Sequence, residues 1–392
     1  MKVVQINTVC SGSTGKIATQ ISKMLNKEGI QNYIFYAMGK SDYKNAVKYA
    51  NFFLIKINAL FAKVFGNYGF NSKIITKRLI NNLKKIKPDV VHLHNIHGHN
   101  VNLLMLFNYL KKNNVKIVWT FHDCWAFTGY CVHFDYEKCD KWKMKCGACP
   151  QRKRYSYFFD RSAWLYEKKK ELFTGFKDFT VVTPSKWLAE LVKNSFLREY
   201  SVKVIYNGVD TELFCPIDSD FRKKFSLENK IVLLGTAMSF NEKKGFEYFI
   251  KLSKSIPDNM RIVLVGVNEK QIKNLPENII GIEKTENQRE LAEIYSAADV
   301  FINLTLEDNF PTVNLEALAC GTPVITFDTG GSGESIDENT GIVVEKGNIN
   351  GVIKGIDELI GNLKSSACAR ETAVKKYDAK KSFAEYLNIY NG

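Results

Sequence analysis

The residues best placed for chemistry in this chain are two acids, Asp308 and Glu316, in the stretch 304–327, LTLEDNFPTVNLEALACGTPVITF. An apolar strand, DVFINLT from residue 299, runs into the acidic turn Glu307, Asp308 and Asn309. Pro311 follows at a first helical position, where a missing N–H costs nothing. Leu315, Ala317, Leu318 and Ala319 carry the helix to Gly321, a left-handed cap, and Pro323 opens a buried strand. Such a βαβ unit points free N–H groups and the positive end of a helix dipole at the strand's C-terminal edge, where α/β proteins bind anions. The plainer use of both acids is helix capping.

Lys243-Lys244-Gly245 precedes a second apolar helix carrying Phe246, Phe249 and Ile250. A lysine at a helix N-terminus opposes the dipole unless an anion is bound nearby, and that tension points to phosphate. His122 ends the apolar run KIVWTFH beside Asp123, again at a strand end; a hydrogen-bonded structural histidine is the competing reading. The turn Cys10–Lys16, CSGSTGK, follows the first strand, and Gly12 and Gly15 would let backbone N–H groups approach a phosphate or sugar closely. It is neither a Walker A loop nor a full GxGxxG.

Two clusters suggest metal. His92, His94, His97 and His99 lack the acids that would complete a site and suit contacts to an acceptor instead. Cys131, Cys139, Cys146 and Cys149 form C-x7-C-x6-C-x2-C, a spacing that can supply a closed tetrahedral site for structural zinc, with a reduced buried cluster or a disulfide as the alternatives.

The elements that must carry these residues alternate. β-rich runs at 3–7, 33–38, 89–95, 116–122, 180–184 and 202–206 are separated by helical stretches, and a second series follows at 231–236, 261–267, 279–283, 300–305, 323–327 and 341–344. Alternation of this kind implies parallel, doubly wound sheets, and 392 residues exceed what one core usually spans. The turn-rich stretch YNGVDTELFCP at 206–216 marks the hinge.

Charge divides along the same line. Residues 1–206 hold 34 Lys and Arg against 13 Asp and Glu, and the remainder holds 21 against 28. Between Tyr43 and Pro88 ten basic residues and no acid are interleaved with Phe52, Phe53, Phe61, Phe65, Tyr68 and Phe70. A solvated basic helix face would look like this, and so would a segment docked on an anionic membrane surface, which is the reading preferred here. No nucleic-acid-binding motif accompanies the charge, so nucleic acid is not expected as a partner. No apolar run approaches membrane-spanning length and the N-terminus enters a strand, so the expected location is the cytoplasm, peripheral to the inner face of the cell membrane.

The segment 304–327 resembles the E-x7-E region of family 4 glycosyltransferases, with Asp308 and Glu316 at the two acidic positions and Asp where the family usually has Glu. The resemblance implies a GT-B fold, two Rossmann-like doubly wound domains facing across a cleft. Residues 1–206 would form the acceptor-side domain with 377–392 returning to it, and 207–376 would bind the nucleotide-sugar donor. It further implies that Asp308, Asn309 and Phe310 hold the donor sugar, Glu316 the nucleotide ribose, and Lys244 the diphosphate. Gly12 and Gly15 would make backbone contacts, and His122 would position the transition state. The family's usual arginine a few residues before Lys244 is absent. The stretch from HDCWAFTGYC to KCGACPQ resembles a structural insertion of polysaccharide-assembly members. The implied reaction is hexosyl or similar transfer of the EC 2.4 class, retaining, with no cofactor for catalysis, from a nucleotide-diphosphate sugar to a glycan or polyprenyl-linked acceptor. A sugar-nucleotide 2-epimerase and a non-catalytic nucleotide-sugar binding protein are the alternatives.

Overall fold

The computed structural model describes residues 1–360 and 364–392. The chain forms two compact units, Met1–Tyr206 with Phe383–Gly392, and Asn207–Ser382. Residues 377–382, expected with the first unit, belong to the second. Val209 N–H donates to Tyr377 O at 2.8 Å and Ala379 N–H to Val209 O at 2.9 Å, so the NGVD turn holds them there.

The first unit is a seven-stranded parallel sheet: β1 (Lys2–Val9), β2 (Gln31–Met38), β3 (Ala46–Lys48), β4 (Val90–Leu93), β5 (Lys116–Thr120), β6 (Phe179–Thr183) and β7 (Ser201–Val204). Its order is β3-β2-β1-β4-β5-β6-β7. Helices α1 (Gly12–Lys27), α2 (Phe52–Phe65), α3 (Lys73–Ile86) and α4 (Leu103–Asn113) supply the first crossovers. Val4, Ile6, Val91, Leu93, Ile117 and Trp119 are buried, as strands covered on both faces must be. Each such side chain contributes roughly 1.5–3 kcal/mol by leaving water.

The second unit repeats the plan with β8 (Ile231–Thr236), β9 (Met260–Val265), β10 (Ile279–Ile282), β11 (Val300–Asn303), β12 (Val324–Phe327) and β13 (Gly341–Val344) in the order β10-β9-β8-β11-β12-β13. In each sheet the winding reverses beside the first strand, between β1 and β4 and between β8 and β11, and such a reversal opens a crevice at the C-terminal edge. Cys10, His94 and His122 follow strands of the first sheet, and Lys244 and Asp308 follow β8 and β11.

Three local expectations shift. The glycine turn is mostly helix, since α1 starts at Gly12 with Ser11 as its cap. Pro311 is the cap of the helix Thr312–Ala319 and not its first residue. β3 was not anticipated; three residues inside a basic run carry too little pattern to read. Among the described residues no helix is long and apolar enough to cross a membrane.

Candidate functional site

In the second unit the chain leaves β8 and makes a single 3-10 turn, Glu242–Lys244, before the helix Phe246–Ser253. Asn241 Oδ1 accepts the Lys244 N–H at 3.1 Å and fixes that turn. Gly245 has φ +74, and a Cβ there would lie 2.1 Å from Leu304 O; only glycine allows the turn to lie flat on the end of β11. Leu306 N–H donates to Lys243 O at 2.8 Å, closing the contact from the other side.

That docking brings the two lysines onto the two acids. Lys244 Nζ lies 2.7 Å from Asp308 Oδ2, and Lys243 pairs with Glu307. The pairs differ in depth: the Glu307 side chain is 3% exposed, Asp308 22% and Lys244 40%. The inner pair is therefore a fixed strut and the outer one is open to exchange partners. Asp308 also accepts its neighbour's N–H, from Asn309, at 2.9 Å, which aims the carboxylate along the turn. Asn309 and Phe310 are buried behind it, and Phe310 O accepts from Asn207 Nδ2 at 3.2 Å.

Glu316 lies on the helix Thr312–Ala319, half-buried, with Oε2 accepting from Tyr295 OH at 3.1 Å. Tyr295 OH is also 2.8 Å from Thr236 Oγ1 at the end of β8. Burial first, and the Glu316 charge second, push the Tyr295 hydroxyl well above its ordinary pKa, so it stays a hydrogen-bond donor. Tyr295 thus fixes Glu316 in place. Sequence reading missed it, because nothing local distinguishes this tyrosine from a core aromatic. Buried Asn314 spans the same helix and the following turn, taking Asn303 Nδ2 at 2.8 Å and donating to Ser335 Oγ at 2.9 Å.

In the first unit five histidines, His92, His94, His97, His99 and His122, lie in or just after β4 and β5. His92 and His94 are buried and bonded within the protein, not presented to a ligand. His92 Nδ1 lies 2.6 Å from Tyr390 OH, and Nε2 lies 2.8 Å from Thr120 Oγ1, which also meets Tyr386 OH at 2.8 Å. His94 lies between Gln5 Oε1 and His122 Nε2, 3.0 Å from each.

The proton positions in that chain follow from one amide. Gln5 Nε2 donates to Ala18 O at 3.0 Å, which leaves Gln5 Oε1 facing His94. An amide oxygen only accepts, so His94 carries its proton on Nε2 and accepts on Nδ1. His122 must then donate from Nε2, and its Nδ1 keeps a free lone pair. Burial pushes His122 down to about 4, opposed by Asp123, so the ring is neutral at physiological pH. Asp123 itself is raised by burial, but the His97 charge and hydrogen bond at 2.8 Å and the Trp125 N–H outweigh that and bring it down to about 2.

These shifts have a sign. Above pH 6.5 the ring of His122 is neutral folded and unfolded, and stability is full. As pH falls from 6.5 to about 4 the unfolded chain takes up a proton that the folded one refuses, and stability drops. The Asp123 contribution, present above 3.8, is lost later, as pH falls through about 2. All five tryptophans lie in the first unit, so their fluorescence in thermal melts should show this unit losing stability, on the order of a few kcal/mol, between pH 6.5 and 4. A melting temperature constant across that window would contradict the neutral histidine chain.

Gly12 has φ +69 with open space where a Cβ would stand. At Gly15 a Cβ would lie 2.4 Å from the Cys10 carbonyl carbon, so close packing of α1 on the end of β1 already requires that glycine.

The zinc centre expected at Cys131, Cys139, Cys146 and Cys149 does not fit the structure. Among the described residues no group of three or more His, Cys, Asp or Glu could hold a metal ion, and all nine cysteines are free thiols. Three of the four sulfurs make hydrogen bonds. Cys131 and Cys149 share a thiol–thiol hydrogen bond that raises the first and lowers the second, and Cys146 Sγ accepts the Gly129 N–H at 3.3 Å. What staples this insertion is buried Lys169. Its Nζ donates to the carbonyls of Trp125, Thr128 and Gly129 at 2.7, 3.0 and 3.2 Å, and lies 3.6 Å from the Trp125 ring centre.

Residues 14–213 match the family model described as Glycosyltransferase Family 4, about half of the chain. The chain is a family 4 glycosyltransferase. Residues 217–376 of this glycosyltransferase match a second model, Glycosyl transferases group 1. The colanic acid biosynthesis glycosyl transferase WcaC of Escherichia coli is 23% identical over 419 residues, spanning 100% of this chain and 99% of WcaC. N-acetyl-alpha-D-glucosaminyl L-malate synthase of Bacillus anthracis is 25% identical over 208 residues, 48% of this chain and 53% of that protein. Among solved structures, sucrose-phosphate synthase of Thermosynechococcus elongatus superposes on the enzyme with a TM-score of 0.74 at 16% identity, covering 100% of this chain and 98% of that one. Anabaena HepE in complex with UDP gives 0.70 at 14%, with all of both chains covered. The enzyme's fold is thus that of the GT-B glycosyltransferases, two Rossmann-like domains each on a parallel sheet.

Proposed function

We propose that the enzyme is a retaining glycosyltransferase that moves a sugar from a nucleoside diphosphate donor to a glycan or polyprenyl-linked glycan in cell-surface polysaccharide assembly. It would work in the cytoplasm, peripherally on an anionic membrane surface. The observation that carries this reading is the exchangeable Lys244–Asp308 pair at the C-terminal edge of the second sheet, with Glu316 fixed by Tyr295 near it in the fold. Support comes from WcaC, named for colanic acid biosynthesis, and from HepE, solved with UDP and with UDP-glucose.

In this reading Glu316 accepts the ribose hydroxyls. Lys244 leaves Asp308 to meet the diphosphate, and Lys243 stays tied to Glu307. Asp308, released from its lysine, accepts hydroxyls of the donor sugar, with the turn at Asn309 and Phe310 closing beside it. His122 offers its Nδ1 lone pair to a sugar hydroxyl, and Gly12 offers its N–H to the donor side. The bond from the anomeric carbon to the diphosphate oxygen breaks as the acceptor oxygen forms its own bond on the same face. The acceptor's proton passes to the departing phosphate oxygen, whose growing charge Lys244 and the helix N-terminus neutralise. The residues orient and screen, and no side chain needs to be a covalent nucleophile.

Purified enzyme incubated with UDP-, GDP- and ADP-sugars, with and without lipid-linked oligosaccharides, tests the proposal. Transfer only in the presence of acceptor, with the donor's anomeric configuration kept in the product by NMR, is expected. An isomerised donor would mean an epimerase, and binding without turnover in every mixture would mean a nucleotide-sugar binding protein.

A further inference from the structure

The helix α2, FFLIKINALFAKVF, is strongly apolar yet buries only Ile55 and Ala62. Phe53 is 68% exposed and Leu60 60%, and Phe52, Phe61 and Phe65 are exposed beside them. A helix apolar nearly all round normally sits in a core; this one lies open. A second segment extends its surface. Tyr157 N–H donates to Lys63 O at 2.8 Å, and Tyr130 OH donates to Gly66 O at 3.1 Å and to Phe159 O at 3.4 Å. These bonds seat exposed Tyr157, Phe158 and Phe159 against the C-terminal end of α2. The patch is thus built from two stretches far apart in sequence, and scattered surface phenylalanines do not account for it.

At the other end of α2 the apolar surface meets a basic one. An open cavity of about 500 Å3 is lined by Lys48, Asn51, Arg78, Asn81, Asn82 and Lys85, among others. Arg78, Asn81, Asn82 and Lys85 fall on one face of α3 by their spacing. Asn51 caps α2, its Oδ1 accepting the Phe53 N–H at 2.8 Å, so the cavity wall runs directly into Phe52 and Phe53. Lys56 Nζ sits 4.7 Å from the Phe52 ring centre. No acidic residue occurs between Tyr43 and Pro88 to neutralise these bases. The Arg78 guanidinium, the Lys48 and Lys85 ammonium groups and the amide N–H groups of the asparagines make a cationic, donor-rich lining that suits a phosphodiester.

We propose that α2 and the 157–159 segment are the surface by which the enzyme docks on an anionic phospholipid bilayer, with the Lys48–Arg78–Lys85 cavity receiving a lipid headgroup phosphate. The proposal rests on the membrane contact proposed above and gives it a site and a ligand. Exposed aromatic side chains adjoining exposed bases offer the two contacts a bilayer interface takes, one for hydrocarbon and one for phosphate. A second copy of the chain fits poorly, because a two-fold interface on this patch would bring acid-free basic surfaces together.

Flotation with vesicles of phosphatidylcholine alone, or mixed with about one-quarter phosphatidylglycerol, tests it. Binding only to the mixed vesicles, weakened by salt, is expected. Phe52→Ser with Phe53→Ser and Phe61→Ser should weaken binding at least roughly 10-fold, and Arg78→Ala with Lys85→Ala on the order of 10-fold or more. In both, turnover of donor with a water-soluble acceptor should be unchanged. That second readout separates a failure of docking from a failure of the enzymatic reading. Equal binding of the variants and the unaltered protein, no preference for phosphatidylglycerol, or a lipid-free dimer abolished by the phenylalanine substitutions would overturn the proposal.

Discussion

Lys244→Ala should leave the protein folded and slow sugar transfer by roughly 10²- to 10³-fold, with the KM for donor little changed. The lysine's side chain is 40% exposed in its pair with Asp308, and a pair at that depth contributes about 0–1 kcal/mol to stability, so melting should barely move. Rate suffers for two reasons. The leaving diphosphate gains charge in the transition state and loses its nearest cation. The Asp308 carboxylate, left without its partner, then repels that same charge. Lys243 cannot substitute, because buried Glu307 holds it. If Asp308 repulsion were the main loss, Asp308→Asn in the Lys244→Ala background would recover rate. If the carboxylate also orients the sugar, the double variant stays slow. Unaltered turnover in Lys244→Ala would remove the second unit's edge from the mechanism.

Glu316→Ala should act the other way, raising the donor Kd roughly 10- to 100-fold with a smaller effect on the rate at saturation. A carboxylate accepting from ribose hydroxyls contributes about 1.5–3 kcal/mol, and that binding is retained in ground and transition states alike. Tyr295→Phe provides the calibration. It removes the hydroxyl that holds Glu316 Oε2 at 3.1 Å and takes a hydrogen-bond partner from Thr236, so it should weaken donor binding in the same direction by a smaller factor. Calorimetric titration with the nucleoside diphosphate alone reads both. Wild-type affinity in Glu316→Ala would place the ribose elsewhere.

The parts of this protein that sequence made legible are local. Runs such as VLLGT in β8 or VFIN in β11 declare themselves by β-branched and aliphatic content, and His122 and Asp308 were found just past the ends of such runs, where winding must put them. The partners were not legible. Lys243 and Glu307, Tyr295 and Glu316, and His94 and His122 meet through strand order and crossover, and no spacing in the chain encodes that register. Asp308 and Glu307 adjoin in sequence, and only the docking of Gly245 on Leu304 decides which carboxylate is buried. One signal was available and missed. Gln5 is a polar residue between Val4 and Ile6 in an otherwise buried strand, and a buried amide must have partners; here they are Ala18 and His94. The cysteine spacing misled in the opposite direction, because a ligand-like pattern fixes composition without fixing the geometry a metal ion needs.

The helix Ala379–Asn391 belongs to both units, since the boundary falls at Phe383, and its Tyr386 and Tyr390 hydroxyls complete the polar cluster at His92 and Thr120. The ribosome must therefore translate every codon of the second unit before the first can satisfy its own interior. A nascent chain stalled in between would hold all seven strands of the first sheet while leaving His92 and Thr120 without their tyrosine partners, which makes synthesis of this helix a checkpoint for the half that was made earliest.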